Sequence, residues 1–249
     1  IGMSTRTQED VIDYLFVAST HSYILIFTDK GRIYWLKVYA VPEVGSAGKG
    51  KPIVNLIQLD RGEKIADMIA VSNFENAGYV MMVSRRGYIK KTRLQAFSKP
   101  RSTGIVACTV DQGDELLSVG QTGGENDILL YSREGKAIRF AESGVREMGR
   151  TARGVKGIVL RKADQLVGMH IIRDESENIL VVTENGYGKR TPVTGYRCQG
   201  RGGQGVINIK TTQRNGPVVS AFGVKEDSEV IIITEKGKII RLEASRIRQ

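Results

Sequence analysis

One short phrase is written five times along this chain, and no other feature limits its fold as strongly. The copies are ILIFTDKGRIYW (24–35), VMMVSRRGYIKK (80–91), ILLYSREGKAIR (128–139), ILVVTENGYGKR (179–190) and VIIITEKGKIIR (230–241). Each reads as an apolar run, Ser or Thr, two polar residues, Gly, and a strand that soon carries Lys or Arg. The glycines Gly31, Gly87, Gly135, Gly186 and Gly237 are 56, 48, 51 and 51 residues apart. Apolar runs of four or five suit strands buried on both faces. Gly in the fourth place of the stop supplies the positive φ of a type I turn with a following bulge. Each copy is therefore a predicted β-hairpin. A glycine-containing connector and two more short apolar runs follow most copies, as in PIVNLIQL (52–59) with KIADMIAV (64–71) and GVINIKTT (205–212) with PVVSAFGV (217–224). Four strands per repeat is the count of a propeller blade, so the predicted class is all-β, a wheel of repeated blades. FENAGYV (74–80) and VREMG (145–149) are single helical turns at most.

Charge is the second constraint. Lys plus Arg is 37 against 27 Asp plus Glu, a net of +10. From Asn185 to Arg214 there are six bases and no acid, and from Lys136 to Lys162 eight bases stand against Glu142 and Glu147. Acids gather at turns and strand starts instead. Such segregation fits a polyanion-binding rim. Four residues past the turn glycines lie Trp35, Lys91, Arg139, Arg190 and Arg241. Rotation of one blade onto the next would place these cations at equivalent points of the wheel. Lys and Arg at such places also protect strand edges, but that does not explain the acid-free connectors. The expected contacts are Lys49, Lys51, Arg86, Lys90, Lys91, Arg93, Lys99, Arg101, Arg139, Arg146, Arg150, Arg153, Lys156, Lys189, Arg190, Arg197 and Arg201.

Other chemistries find little support. GSAGKGKP (45–52) has Walker-like spacing, but Pro52 stands where Ser or Thr should bind magnesium. His21 and His170 have no third ligand at metal spacing, and His170 reads as a satisfied structural histidine. Cys108 and Cys198 lie outside any CxxC, which points to a reduced, cytoplasmic chain. The start, IGMSTRTQED, has no signal-peptide character, and no apolar stretch approaches a membrane span.

The segments ASTHSYILIFTDKGRIYWLKVYAVPE (18–43), GKGKPIVNLIQL (48–59), NGYGKRTPV (185–193) and NGPVVSA (215–221) resemble the C-terminal DNA-wrapping domains of type IIA topoisomerase A subunits. The likeness runs over essentially the whole chain and is stronger to gyrase than to topoisomerase IV. It implies a β-pinwheel, a six-bladed propeller-like disc of four-stranded blades that exchange strands with their neighbours. It further implies that a basic perimeter bends and chirally wraps double-stranded DNA in support of negative supercoiling. By the same likeness the isolated domain is a monomer without catalysis or cofactor, and the nucleophilic tyrosine lies elsewhere in the parent enzyme. ATP and magnesium belong to other domains, gyrase B is the partner in an A2B2 holoenzyme, and the setting is the nucleoid. The family hallmark resembles Q-R-R-G-G-K-G, and its place should precede Ile1. Gln199-Gly200-Arg201-Gly202-Gly203-Gln204-Gly205 matches five of its seven positions in a later blade, a degenerate copy. The chain, residues 1–249, is expected to be a single domain truncated at both ends. The competing readings are a topoisomerase IV counterpart and a protein-interaction propeller.

Overall fold

The structure, a computed structural model, describes residues 17–44, 50–75, 78–234 and 239–249. All five phrases are antiparallel hairpins. The first blade holds β1 (Tyr23–Thr28), β2 (Arg32–Lys37) and β3 (Ile65–Val71). The second repeat supplies β4 (Tyr79–Ser84), β5 (Tyr88–Arg93), a short β6 (Ile105–Val106) and β7 (Leu116–Thr122). The third supplies β8 (Asp127–Ser132), β9 (Lys136–Ala141), β10 (Val155–Lys156) and β11 (Leu166–Ile172). The fourth supplies β12 (Asn178–Thr183), β13 (Gly188–Pro192), β14 (Val206–Ile207) and β15 (Val218–Val224), and the fifth β16 (Glu229–Ile233) and β17 (Ile239–Glu243).

The order across the sheets shows the strand exchange. The sheets run β3-β1-β2-β6, β10-β5-β4-β7, β11-β8-β9-β14, β13-β12-β15 and β16-β17. Each two-residue strand leaves its own repeat and pairs on the outer edge of the preceding blade. Among the described residues three sheets are therefore four-stranded, one three-stranded and one two-stranded, on five hairpins. The inner strands β3, β7, β11 and β15 neighbour one another in sequence order.

The turn chemistry explains the Ser/Thr-x-x-Gly stop. Gly31, Gly87, Gly135 and Gly186 have φ between 75° and 82°. Their N–H groups donate to the carbonyls of Thr28, Ser84, Ser132 and Thr183 at 2.9–3.1 Å. The hydroxyls of Thr28, Ser84 and Ser132 also accept from the N–H four residues on, at 3.2–3.3 Å. This replaces the ladder partner that the bulge removes.

Each turn glycine then grips the next repeat. The Gly31 carbonyl accepts from Ala107 and Cys108 N–H, Gly87 from Gly157 and Ile158, and Gly135 from Asn208 and Ile209, at 2.8–3.4 Å. The turns also accept from the start of the next inner strand: Asp29 from Leu116, Arg85 from Leu166, Arg133 from Val218, each at 2.9 Å. Apolar side chains fill the seams. Alternate residues of a central strand face opposite neighbours. Met81 and Val83 pack toward the third blade, Val80 and Met82 toward the first.

One sequence expectation is corrected. Residues 52–59 are not a strand. They form a 3-10 turn at Ile53–Asn55 and an irregular run whose Ile53, Leu56, Ile57 and Leu59 cover the far face of the first blade. Among the described residues no helical turn lies at 74–75, 78–80 or 145–149, within the expected limit of a single turn, and residues 76–77 lie outside the described residues. Single 3-10 turns follow each hairpin instead, at Val38–Ala40, Leu94–Phe97, Glu142–Gly144, Val193–Gly195 and Ala244–Arg246. There they turn the chain off the sheet after its outer strand. No described helix is long and apolar enough to cross a membrane.

Gly135 and Gly186 share a backbone angle but differ in surroundings. A Cβ on Gly135 would strike the Ile209 carbonyl, and one on Gly186 would meet open space. Gly135→Ala should therefore lower the thermal midpoint more than Gly186→Ala, whose cost is only about 1 kcal/mol of backbone strain. Thermal unfolding followed by circular dichroism checks the order.

Candidate nucleic-acid interface

The cations expected on the rim fall into two populations. Lys91, Arg139 and Arg190 are buried at 7%, 8% and 5% exposure, and Lys90 at 1%. Lys91, Arg139 and Arg190 face the next blade and Lys90 the opposite seam, none of them solvent, so the expectation that these four meet phosphate is corrected. Lys49 lies outside the described residues.

Four of the five positions four past a turn glycine perform one repeated task; Arg241 is exposed and pairs with Glu229 of its own hairpin. Trp35 Nε1 donates to the Phe97 carbonyl at 2.8 Å. Lys91 Nζ lies 3.4 Å from the Glu142 carbonyl and 3.7 Å from its carboxylate. Arg139 Nη1 donates to Val193 O at 3.0 Å while its other nitrogens bind Asp127 and Glu175 at 2.7 and 2.5 Å. Arg190 donates to Ile247 O and Ser245 O at 2.8 and 3.1 Å and binds Glu226 at 2.8 Å. Every donor reaches the 3-10 turn that ends the next hairpin. The Glu142 and Val193 carbonyls already accept from Val145 and Tyr196 N–H, so Lys91 and Arg139 use their second lone pair. The basic spacing in the sequence thus marks a clasp between blades.

Lys90 holds two connectors. Its Nζ donates to Ala107 O at 2.6 Å and to Arg150 O. Burial pulls its pKa down to about 8, and burial raises that of neighbouring Cys108 to about 11. Between pH 8 and the ordinary lysine value near 10.4 the unfolded chain binds more protons than the folded one. Stability gains a rising contribution across that window.

The second population is exposed and sits on the connectors. Lys99 and Arg101 lead to β6, Arg146, Arg150 and Arg153 to β10, and Arg197 and Arg201 to β14. Lys51, Arg86 and Arg93 are also exposed, and Lys156 and Lys189 half-buried. Arg93 is held by Glu147 at 2.7 Å and Arg153 by Asp111 at 2.9 Å. Among the described residues no carboxylate lies within ion-pair distance of Lys99, Arg101, Arg146, Arg150, Arg197 or Arg201. Because the exchanged strands are the outermost of their sheets, these connectors run along the perimeter.

The connectors are tied into a belt. Thr109 N–H donates to Ala152 O at 3.3 Å, and one repeat later Val159 N–H donates to Gly203 O at 2.9 Å. In the box-like loop Gln199–Gly205, Arg201 donates to Gly144 O at 2.7 Å and Lys156 O at 3.2 Å. Gly202 N–H donates to Gly157 O at 2.6 Å. The loop is a strut between neighbouring connectors as well as a carrier of charge. Fixed backbone of this kind holds charges in place before a ligand arrives.

Tyrosines were overlooked in the sequence. Tyr88 carries Lys156 and Arg153 over its ring at 3.9 and 4.6 Å, and Tyr187 carries Arg214 at 4.9 Å. Each stands immediately after a turn glycine, the signal that could have found it. Of the histidines, His170 is satisfied by Glu177 at 2.8 Å and His21 is exposed.

Arg139→Met should cost about 1.5–3 kcal/mol, because a charge-assisted bond to a buried carbonyl is lost. Denaturant unfolding gives the value. Lys90→Met should flatten the rise in stability between pH 8 and 10, read as the difference between thermal midpoints at the two ends.

A family model described as "DNA gyrase C-terminal domain, beta-propeller" matches residues 22–72, 78–122, 126–173, 177–225 and 228–249, one stretch per hairpin. The DNA gyrase A protein of Salmonella typhimurium is 46% identical over 240 residues, 96% of this chain and 27% of that protein. The chain thus spans about a quarter of the length of the curated relatives it matches. The crystal structure of the C-terminal domain of DNA topoisomerase IV superposes with a TM-score of 0.82 at 29% identity, covering 92% of this chain and 72% of that one. A DNA gyrase A C-terminal domain superposes with the same TM-score at 24% identity, covering 93% and 75%, and supports the fold.

Proposed function

The chain belongs to the family of DNA gyrase C-terminal domains, and on that premise we propose that it binds, bends and chirally wraps duplex DNA. The observation that carries this reading is the belt of connector cations without carboxylate partners. Phosphates would meet Lys99 and Arg101, then Arg146 and Arg150, then Arg197 and Arg201, on three successive connectors. Phosphate contacts fix register and release counterions without reading sequence. Bending a duplex by 40–90° over 20–30 base pairs costs on the order of 1–6 kcal/mol. One connector cannot supply that, whereas several rigidly tied connectors acting on one duplex can.

In the intact protein the domain serves gyrase A, with gyrase B in an A2B2 assembly that uses ATP and magnesium on other domains, in the cytoplasm. Wrapping would present DNA in the sense that yields negative supercoils. The topoisomerase IV likeness favours the same DNA-binding surface, but the 46% identity to a gyrase A protein places gyrase first.

Sealing nicked plasmid with ligase in the presence of rising amounts of the domain tests the proposal. A progressive shift in linking number that fades with salt is expected. Binding without any shift would reduce the role to DNA attachment, and no binding at low salt would remove the DNA reading.

A further inference from the structure

We propose that the duplex, in crossing the connectors, leans toward the margin of the disc that carries the hairpin turns and away from the opposite margin that carries the 3-10 turns. The proposal rests on the DNA-binding reading above and deepens it.

The two margins are fixed by register. Tyr23 pairs with Lys37 and with Val71 at one end of the first blade, while Thr28 pairs with Ile65 at the other. The loops that enter the inner strands therefore share a margin with the hairpin turns. The loops that leave the inner strands share one with the 3-10 turns. The turn-to-strand bonds and the Arg139 and Arg190 clasps keep like ends together from blade to blade.

Their charges differ in sign. The loops leaving the inner strands, 72–75, 123–127, 173–177 and 225–229, hold nine acids against Arg173 and Lys225. The cations beside them are already engaged: Arg139 by Glu175, Arg190 by Glu226, Lys225 by Asp174. On the turn margin of the third and fourth blades, Arg161, Lys162, Lys210 and Arg214 are exposed and have no carboxylate partner among the described residues. Acids do occur there: Glu115, Glu184 and Asp111 pair with Arg85, Arg133 and Arg153, and others cap backbone. Asp164 accepts from Glu134 and Gln165 N–H, and Asp114 from Arg86 N–H. The cation-bearing rings of Tyr88 and Tyr187 stand at this same margin.

Length makes the choice matter. A six-residue strand spans about 20 Å, more than twice the Debye length of about 8 Å at physiological salt. The two margins are therefore felt separately. Phosphates displaced toward the turn margin escape the acidic loops, and phosphates displaced toward the 3-10 margin do not.

Two double variants with equal charge change test the path, with wild type as reference. Arg161→Glu with Lys162→Glu alters the turn margin, and Arg173→Glu with Lys225→Glu the other. Duplex affinity is measured against salt for the 249-residue chain, with melting curves to confirm folding. The first pair should lose at least about tenfold in affinity and flatten the salt slope by about 1–2. The second should change affinity less than about threefold. The neutral pair Arg161→Gln with Lys162→Gln should move in the same direction by a smaller amount. Equal losses from both margins, or a larger loss from the second, would overturn the path. A wild-type chain that does not bind duplex overturns the DNA reading itself, a separate result because no margin has been altered.

Discussion

The wheel depends on one backbone group, the carbonyl of the hairpin-turn glycine. In three successive blades it accepts two N–H groups from the connector of the next repeat. That pair of hydrogen bonds fixes where the connector crosses, and the crossing places its two-residue strand on the outer edge of the preceding blade. Only glycine adopts the turn angle at low cost and leaves room for the approaching chain. The seams, the clasp and the perimeter all follow from the crossing. A blade of this kind is not an independent unit, since its outer strand and the partners of its clasp come from the next repeat.

The basic residues divide along the same geometry. A cation four places past the turn points across the seam and is consumed by carbonyls and carboxylates of the next blade. A cation on the connector has already passed the seam and emerges on the perimeter. Buried ion pairs are weak stabilisers on balance, because desolvation offsets attraction. The clasps add charge-assisted donors to the carbonyls of the next blade's 3-10 turn and fix the angle between blades. Wrapping a stiff duplex needs that rigidity as much as it needs charge.

Most of the architecture was legible in the sequence because it is local. The apolar run and the Ser/Thr-x-x-Gly stop specify a hairpin without reference to the rest of the chain. What misled was periodicity applied to charge. Lys91, Arg139 and Arg190 occupy equivalent positions, as the spacing implies, yet their burial depends on a 3-10 turn about fifty residues further on. No local pattern encodes that partner. Of the exchanged strands β14 lies within the apolar run 205–212, whereas two residues such as Val155 and Lys156 are too few to show alternation. Residues 52–59 carry the apolar content of a strand but spend it on covering the first blade. The connector arginines were legible because acids are missing around them, a compositional signal that needs no register.

Hydrogen exchange of the domain with and without duplex DNA tests the division of the cations most directly. Added DNA should slow exchange in the connectors 98–106, 145–157 and 196–207 and leave the 3-10 turns at 142–144 and 193–195 unchanged. Protection concentrated on those turns and on the acidic loops beside them, with the connectors unaffected, would contradict the account.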